Sequence, residues 1–262
     1  MDLLKVDENG WDPFITAVVH NSGKIINFFI REGYLALTQV TSAETPLHIA
    51  LQLNNFPMIK GLANSQFTNV PNKFGHTPLA VAVLLQNELA VELLWTAGAK
   101  SAGVDHEGNT ILHLACRGTS IHLVNHFLVQ TGGICDVRNF NMETPLHIAC
   151  MRGTGKIVRN LCRQGADSTA QDIQLRTPLM AAILAGNSET ALMLLNWEFI
   201  TNIDPLTRID MFGYTAKDYC LMYNVQVVTA RISTIEKDLH DIALAAAART
   251  GLGSLNLTMT PL

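Results

Sequence analysis

The chain is poor in charge and has no block of one sign. Of its 262 residues, 18 are Lys or Arg and 22 are Asp or Glu, giving a net charge of −4. Binding to a phosphate backbone rests on clustered cations, so the composition gives no reason to expect direct nucleic-acid recognition. The densest basic group is Arg152, Lys156, Arg159 and Arg163. No run of about 18 apolar residues occurs, and no membrane-spanning helix is expected. The opening MDLLKVDENGWDPF lacks the basic start, apolar middle and cleavage site of a secretory leader. Cysteine is scarce: Cys116, Cys135, Cys150, Cys162 and Cys220 are an odd set with no CxxC pair. That argues against a disulfide framework or a zinc site and for a reducing compartment. Phosphate loops, Gly-x-Ser-x-Gly and Gly-x-Gly-x-x-Gly after a strand are also missing. The expectation is a soluble, non-enzymatic protein of the cytoplasm and/or nucleus, with no cofactor and no metal.

What is present is apolar content, 48% of residues, enough to reject disorder, and a repeat. Thr45-Pro46-Leu47-His48-Ile49-Ala50 recurs at Thr77, Thr110, Thr144 and Thr177, at spacings of 32, 33, 34 and 33 residues. Weaker copies stand at Asp12 and Thr215. The anchors near 12, 45, 77, 110, 144, 177 and 215 define seven units. A threonine at a helix start caps free backbone N–H groups, and proline suits the first helical position. Leu47 and Ala50, three apart, share one inner face. Leu89, Glu92 and Leu93 are spaced as the matching face of a second helix over 88–94, which Gly98 ends in the left-handed region. Each unit therefore reads as turn, helix, turn, helix.

Thr-Pro-Leu-His-x-Ala at a period of 33 resembles the ankyrin repeat, over roughly residues 5–230. Further positions agree. Asp or Asn stands five residues before the anchor at Asp7, Asn72, Asp105, Asn139, Asp172 and Asp210. Glycine stands two before it at Gly10, Gly75, Gly108 and Gly213, and 21 after it at Gly33, Gly98 and Gly165. The resemblance implies an all-α ankyrin-repeat solenoid whose units share one continuous core. Residues 231–248, with Ile232, Ile235, Leu239 and Ile242 on one face, are expected to form a capping helix, and 249–262 a flexible tail. Ala43, Met142 and Leu175 replace the turn glycine, so three distorted turns are expected. The second unit has no glycine near 66, and about five extra residues within 197–205 are expected to form a longer loop.

The resemblance also implies that His48, His113 and His147 make structural hydrogen bonds and that Cys116 and Cys150 fill space. His122 and His126, four apart on a helix, are spaced like two metal ligands, but no carboxylate completes a set.

Partners of ankyrin proteins are held by turn tips and first helices, which implies that this chain binds another protein, as a monomer, as scaffold or adaptor. Ile49, Val81, Leu114, Ile148 and Ala181 hold the variable position before the last Ala of the motif. They form either an apolar binding strip or packing. Phe74, His76, Glu107, Phe140, Asn141, Met142, Gln174, Leu175 and Phe212 lie at the tips, where the apolar ones either anchor a partner or pack tip against tip. The strings Asp7–Gly10, Asp105–Cys116, Asp136–Asn141 and Arg176–Leu179 are similar, in order, to the IκB group of ankyrin proteins. This second resemblance implies a Rel-type transcription factor as partner. The paired-serine extension before the first repeat and the acidic tail of inhibitory members are not found, so a nuclear cofactor-like member or a divergent relative is expected.

Overall fold

A computed structural model describes residue 8 and residues 13–20, 22–32, 44–200 and 206–249. Asp7, Gly10, Asp12, Gly33, Ala43 and the segments 201–205 and 250–262 lie outside the described residues. Among the described residues the regular structure is helical, apart from one isolated bridge between Val104 and Thr110. The helices come in pairs. The first three pairs are α1 (Pro13–Val19) and α2 (Gly23–Arg31), α3 (Pro46–Gln52) and α4 (Phe56–Leu62), and α5 (Pro78–Leu84) and α6 (Glu88–Thr96). The fourth and fifth are α7 (Ile111–Cys116) with α8 (Ile121–Gln130) and α9 (Pro145–Arg152) with α10 (Gly155–Arg163). The sixth and seventh are α11 (Pro178–Leu184) with α12 (Ser188–Ile200) and α13 (Ala216–Met222) with α14 (Gln226–Arg249).

The inner helices α1, α3, α5, α7, α9, α11 and α13 stack in succession, and outer helices such as α10, α12 and α14 pack behind them. The result is an all-α ankyrin-type solenoid. Thr45, Thr77, Thr144, Thr177 and Thr215 each cap the helix they precede. Leu47, Leu79, Leu112, Leu146 and Leu179 are buried in one run, with Ala50, Ala82, Ala115, Ala149 and Ala182 beside them. Alanine here lets neighbouring inner helices approach closely. Cys116 and Cys150 are buried at equivalent positions, and among the described residues neither forms a disulfide. Burial pushes the Cys116 thiol well above its ordinary pKa, with a smaller contribution from Cys135.

Several expectations need correction. The buried face of α6 is Ala90, Val91 and Leu94, whereas Leu89 points to solvent. The extra residues of the sixth unit do not all lie in a loop, because Trp197–Ile200 extends α12. The cap is not a separate helix over 231–248: α14 runs unbroken from Gln226. Ile232 and Ile235 are buried, but Leu239 and Ile242 are exposed, since no described unit packs opposite them. In the second unit no residue between 55 and 74 is left-handed, and Thr68 ties the segment after α4 instead. Its hydroxyl donates to the Ala63 and Ser65 carbonyls just past the end of α4.

Candidate functional site

Each tip is built around one buried Asp or Asn. Asn139 Oδ1 accepts from the backbone N–H of Asn141 at 3.0 Å and of Glu143 at 2.9 Å. Asn72, Asp105, Asp172 and Asp210 repeat the pattern. Burial alone would raise the Asp105 carboxyl. The bonds it accepts from Asn109, Glu107 and His76 outweigh that and hold it below its ordinary value. The tips are joined edge to edge by backbone hydrogen bonds. His106 N–H donates to Phe74 O at 3.0 Å, Phe140 to Glu107 at 3.0 Å, Ile173 to Asn141 at 2.8 Å and Met211 to Gln174 at 2.9 Å.

Within this frame the turn position is left-handed whatever residue holds it. Gly75, Gly108 and Gly213 have φ of 82°, 79° and 83°; Met142 and Leu175 have φ of 59° and 60°. The same N–H to carbonyl bond closes all five turns. The turns at Met142 and Leu175 are therefore regular, and the expected distortion is absent. Each non-glycine residue carries strain of about 1–2 kcal/mol. Both side chains nonetheless face solvent, at 43% and 47% exposure.

Phe140 is 69% exposed. Its backbone and one side of its ring lie so close over Gly108 that a Cβ there would sit 2.6 Å from the ring. Phe74 and Phe212 are exposed as well; Phe74 has the Lys73 ammonium 5.1 Å from its ring centroid. Asn141 is exposed and Gln174 half-buried. His76 and Glu107 belong to the frame: His76 meets Asp105 at 3.2 Å, and Glu107 pairs with Arg117 at 2.8 Å.

The inner-helix strip is not an accessible surface. Val81, Leu114, Ile148 and Ala181 are buried, and Ile49 is half-buried against the core. Packing, the alternative left open by the sequence, accounts for them, because each inner helix lies between two others. The sequence reading missed Ile173 and Met211, both exposed. They sit four residues before their anchors, as Phe140 does, and that shared register was the available signal. Phe140, Ile173 and Met211, with Met142, Leu175 and Phe212, form an apolar ridge along the fifth to seventh tips.

A family model of ankyrin repeats in three copies matches residues 119–209. Residues 119–209 thus carry ankyrin repeats. B-cell lymphoma 3 protein homolog of Mus musculus is 37% identical over 149 residues, covering 53% of this chain and 33% of that protein. NF-kappa-B inhibitor alpha of Sus scrofa is 35% identical over 129 residues, covering 47% and 40%. The probable 26S proteasome regulatory subunit p28 of Saccharomyces cerevisiae is 28% identical over 200 residues, covering 73% and 85%. The chain is thus similar to the IκB group, and it spans about a third of the B-cell lymphoma 3 relative.

In this ankyrin stack the repeated histidines join units. Thr45 N–H donates to His48 Nδ1 at 3.2 Å, which leaves the proton on Nε2 to donate to the His76 carbonyl at 3.0 Å. His113 reaches the Glu143 carbonyl at 3.0 Å and His147 the Arg176 carbonyl at 3.1 Å in the same way. Burial lowers all three pKa values, that of His48 to about 4. Each ring's nitrogens are thus engaged in the frame. His126 packs edge-on to Trp95 at 5.1 Å, while His122 faces solvent. Among the described residues no three His, Cys, Asp or Glu side chains gather as metal ligands. Among them too, no helix is long and apolar enough to cross a membrane.

Proposed function

We propose that the chain is a non-enzymatic binding module, acting as a monomeric scaffold or adaptor, that holds a partner protein against the tips of its fifth to seventh units. One observation carries this reading. Met142 and Leu175 occupy left-handed positions where glycine would be easier, yet both present apolar side chains to solvent beside Phe140. Strain kept at an exposed apolar position points to a role outside the folded chain. Apolar and aromatic side chains grouped at the middle of an interface make its strongest anchors.

The finer reading is an IκB-like regulator whose partner is a Rel-type transcription factor, in the cytoplasm and/or nucleus. Similarity to NF-kappa-B inhibitor alpha and to B-cell lymphoma 3 protein supports it. Isothermal titration against a purified Rel-type factor tests both levels. The double variant Phe140→Ser, Met142→Ser is expected to weaken binding by at least ~1 kcal/mol while the melting transition holds. If no Rel-type factor binds, the finer reading falls. The same variant is then measured against a partner identified by affinity purification, where unchanged affinity would reject the tip site.

A further inference from the structure

The basic group noted in the sequence is not absorbed by the tips. It lies at the fifth unit, on its outer helix and the end of the inner one. In α10, Ile157, Val158, Leu161 and Cys162 turn inward. Lys156, Arg159 and Arg163, spaced by three and four, turn to solvent, and Arg152 at the end of α9 is exposed near them in sequence. Three cations of other units are paired: Arg117 with Glu107, Arg176 with Asp172 and Lys217 with Glu236. Among the described residues, none of these four makes an ion pair or a side-chain hydrogen bond. Four unpaired cations within twelve residues stand out in a chain of net charge −4.

Beside them runs a groove of about 290 Å³ between α10 and α12, lined by Arg159, Arg163, Cys162, Met193, Asn196 and Trp197. Its lining is mixed: Cys162, Met193 and Trp197 are apolar, and two guanidinium groups border them. Arg231 of α14 donates to Asn196 at 2.8 Å, which brings a third guanidinium next to the groove. Guanidinium groups match carboxylates in a two-pronged geometry. The neighbouring helices limit the patch, since α8 (IHLVNHFLVQ) and α12 (SETALMLLNWEFI) contain no Lys or Arg. A cationic patch one helix wide, next to apolar side chains, is short for a phosphate backbone and suited to a short peptide.

We propose that this outer-face groove binds an acidic segment of a partner protein, with its carboxylates on Arg159 and Arg163 and an interspersed apolar side chain against Met193 and Trp197. The site lies on the outer helices and does not depend on the tip ridge.

The probe is a fluorescein-labelled twelve-residue peptide of Asp and Glu with a central Leu, measured by anisotropy against the full chain. A matched peptide of Asn and Gln and a duplex oligonucleotide serve as comparisons. Arg159→Glu with Arg163→Glu is expected to weaken the acidic peptide at least tenfold, and the milder Arg159→Gln with Arg163→Gln severalfold. Both pairs are surface changes and should leave melting unaltered. Binding should weaken as salt rises and should change the fluorescence of Trp197, a change lost in Trp197→Phe. Reversing the distant exposed Lys60 and Lys100 to Glu changes net charge equally and is expected to leave affinity within twofold. Equal binding of the Asn/Gln peptide, an equal loss from the Lys60 and Lys100 reversal, or tighter arginine-dependent binding of the oligonucleotide would each overturn the proposal.

Discussion

The fourth and fifth tips share one backbone and differ in almost everything attached to it. The fourth, Asp105–Asn109, turns on Gly108 and presents Glu107 paired with Arg117. The fifth, Asn139–Glu143, turns on Met142 and presents Phe140. The inner helix of the third unit has Ala80 where a histidine would brace the fourth tip, whereas His113 braces the fifth through the Glu143 carbonyl. The sixth tip repeats the combination, with Leu175 in the turn and His147 on the Arg176 carbonyl. The conformation is thus set by the Asx bonds and the tip-to-tip ladder rather than by glycine. Where glycine is replaced, a buried histidine adds a further tie.

Exchanging the turn residues should separate the two tips most strongly. Gly108→Met adds left-handed strain and drives a side chain toward the Phe140 ring. Denaturant unfolding is expected to show a loss of roughly 2–5 kcal/mol. Adding Phe140→Ala should recover only the ring's share, because the Phe140 backbone nitrogen would also lie 2.8 Å from the new Cβ. A neutral Gly108→Met would mean that the fourth tip tolerates side chains as the fifth does.

Acid should act next, through the braces. Burial holds His48 at about 4 against an ordinary 6.5, so its protonation favours the unfolded chain. Its contribution is complete above pH 6.5 and declines as pH falls toward 4, amounting to about 2 kcal/mol by pH 5. His113 and His147 shift in the same direction. Hydrogen exchange at pH 5 should therefore speed up at the Met142 and Leu175 amides more than at the Gly108 amide. Uniform acceleration would deny the histidines a local role.

The smallest effect should come from Met142→Gly. Relief of strain exceeds the added chain entropy by at most ~1 kcal/mol. The melting temperature should rise slightly while partner affinity falls. A variant that is both more stable and equally tight would remove Met142 from the interface.

The repeats were legible because Thr, Pro, Leu, His and Ala each have a fixed task at a fixed register, and the stack reproduces it. Whether Ile49, Val81, Leu114 and Ile148 bind or pack stayed open in the sequence because variability at a position says nothing about burial once a neighbouring helix lies over it. Ile173 and Met211 were passed over because the ladder aligning them with Phe140 joins residues 32 to 37 apart in the chain. Leu239 and Ile242 continue an apolar pattern past the last buried turn of α14, and periodicity alone could not reveal that no described unit meets them.

The ladder between tips has a further consequence in its pitch. Its rungs join residues separated by 32, 33, 32 and 37 positions, yet every rung is a single bond of ordinary length. The longer sixth unit takes up part of its surplus in α12, on the opposite side of the stack. The ruled edge formed by the tips is therefore indifferent to how much chain lies between its marks. Units can lengthen behind it, and whatever grips that edge still finds its footholds at even intervals.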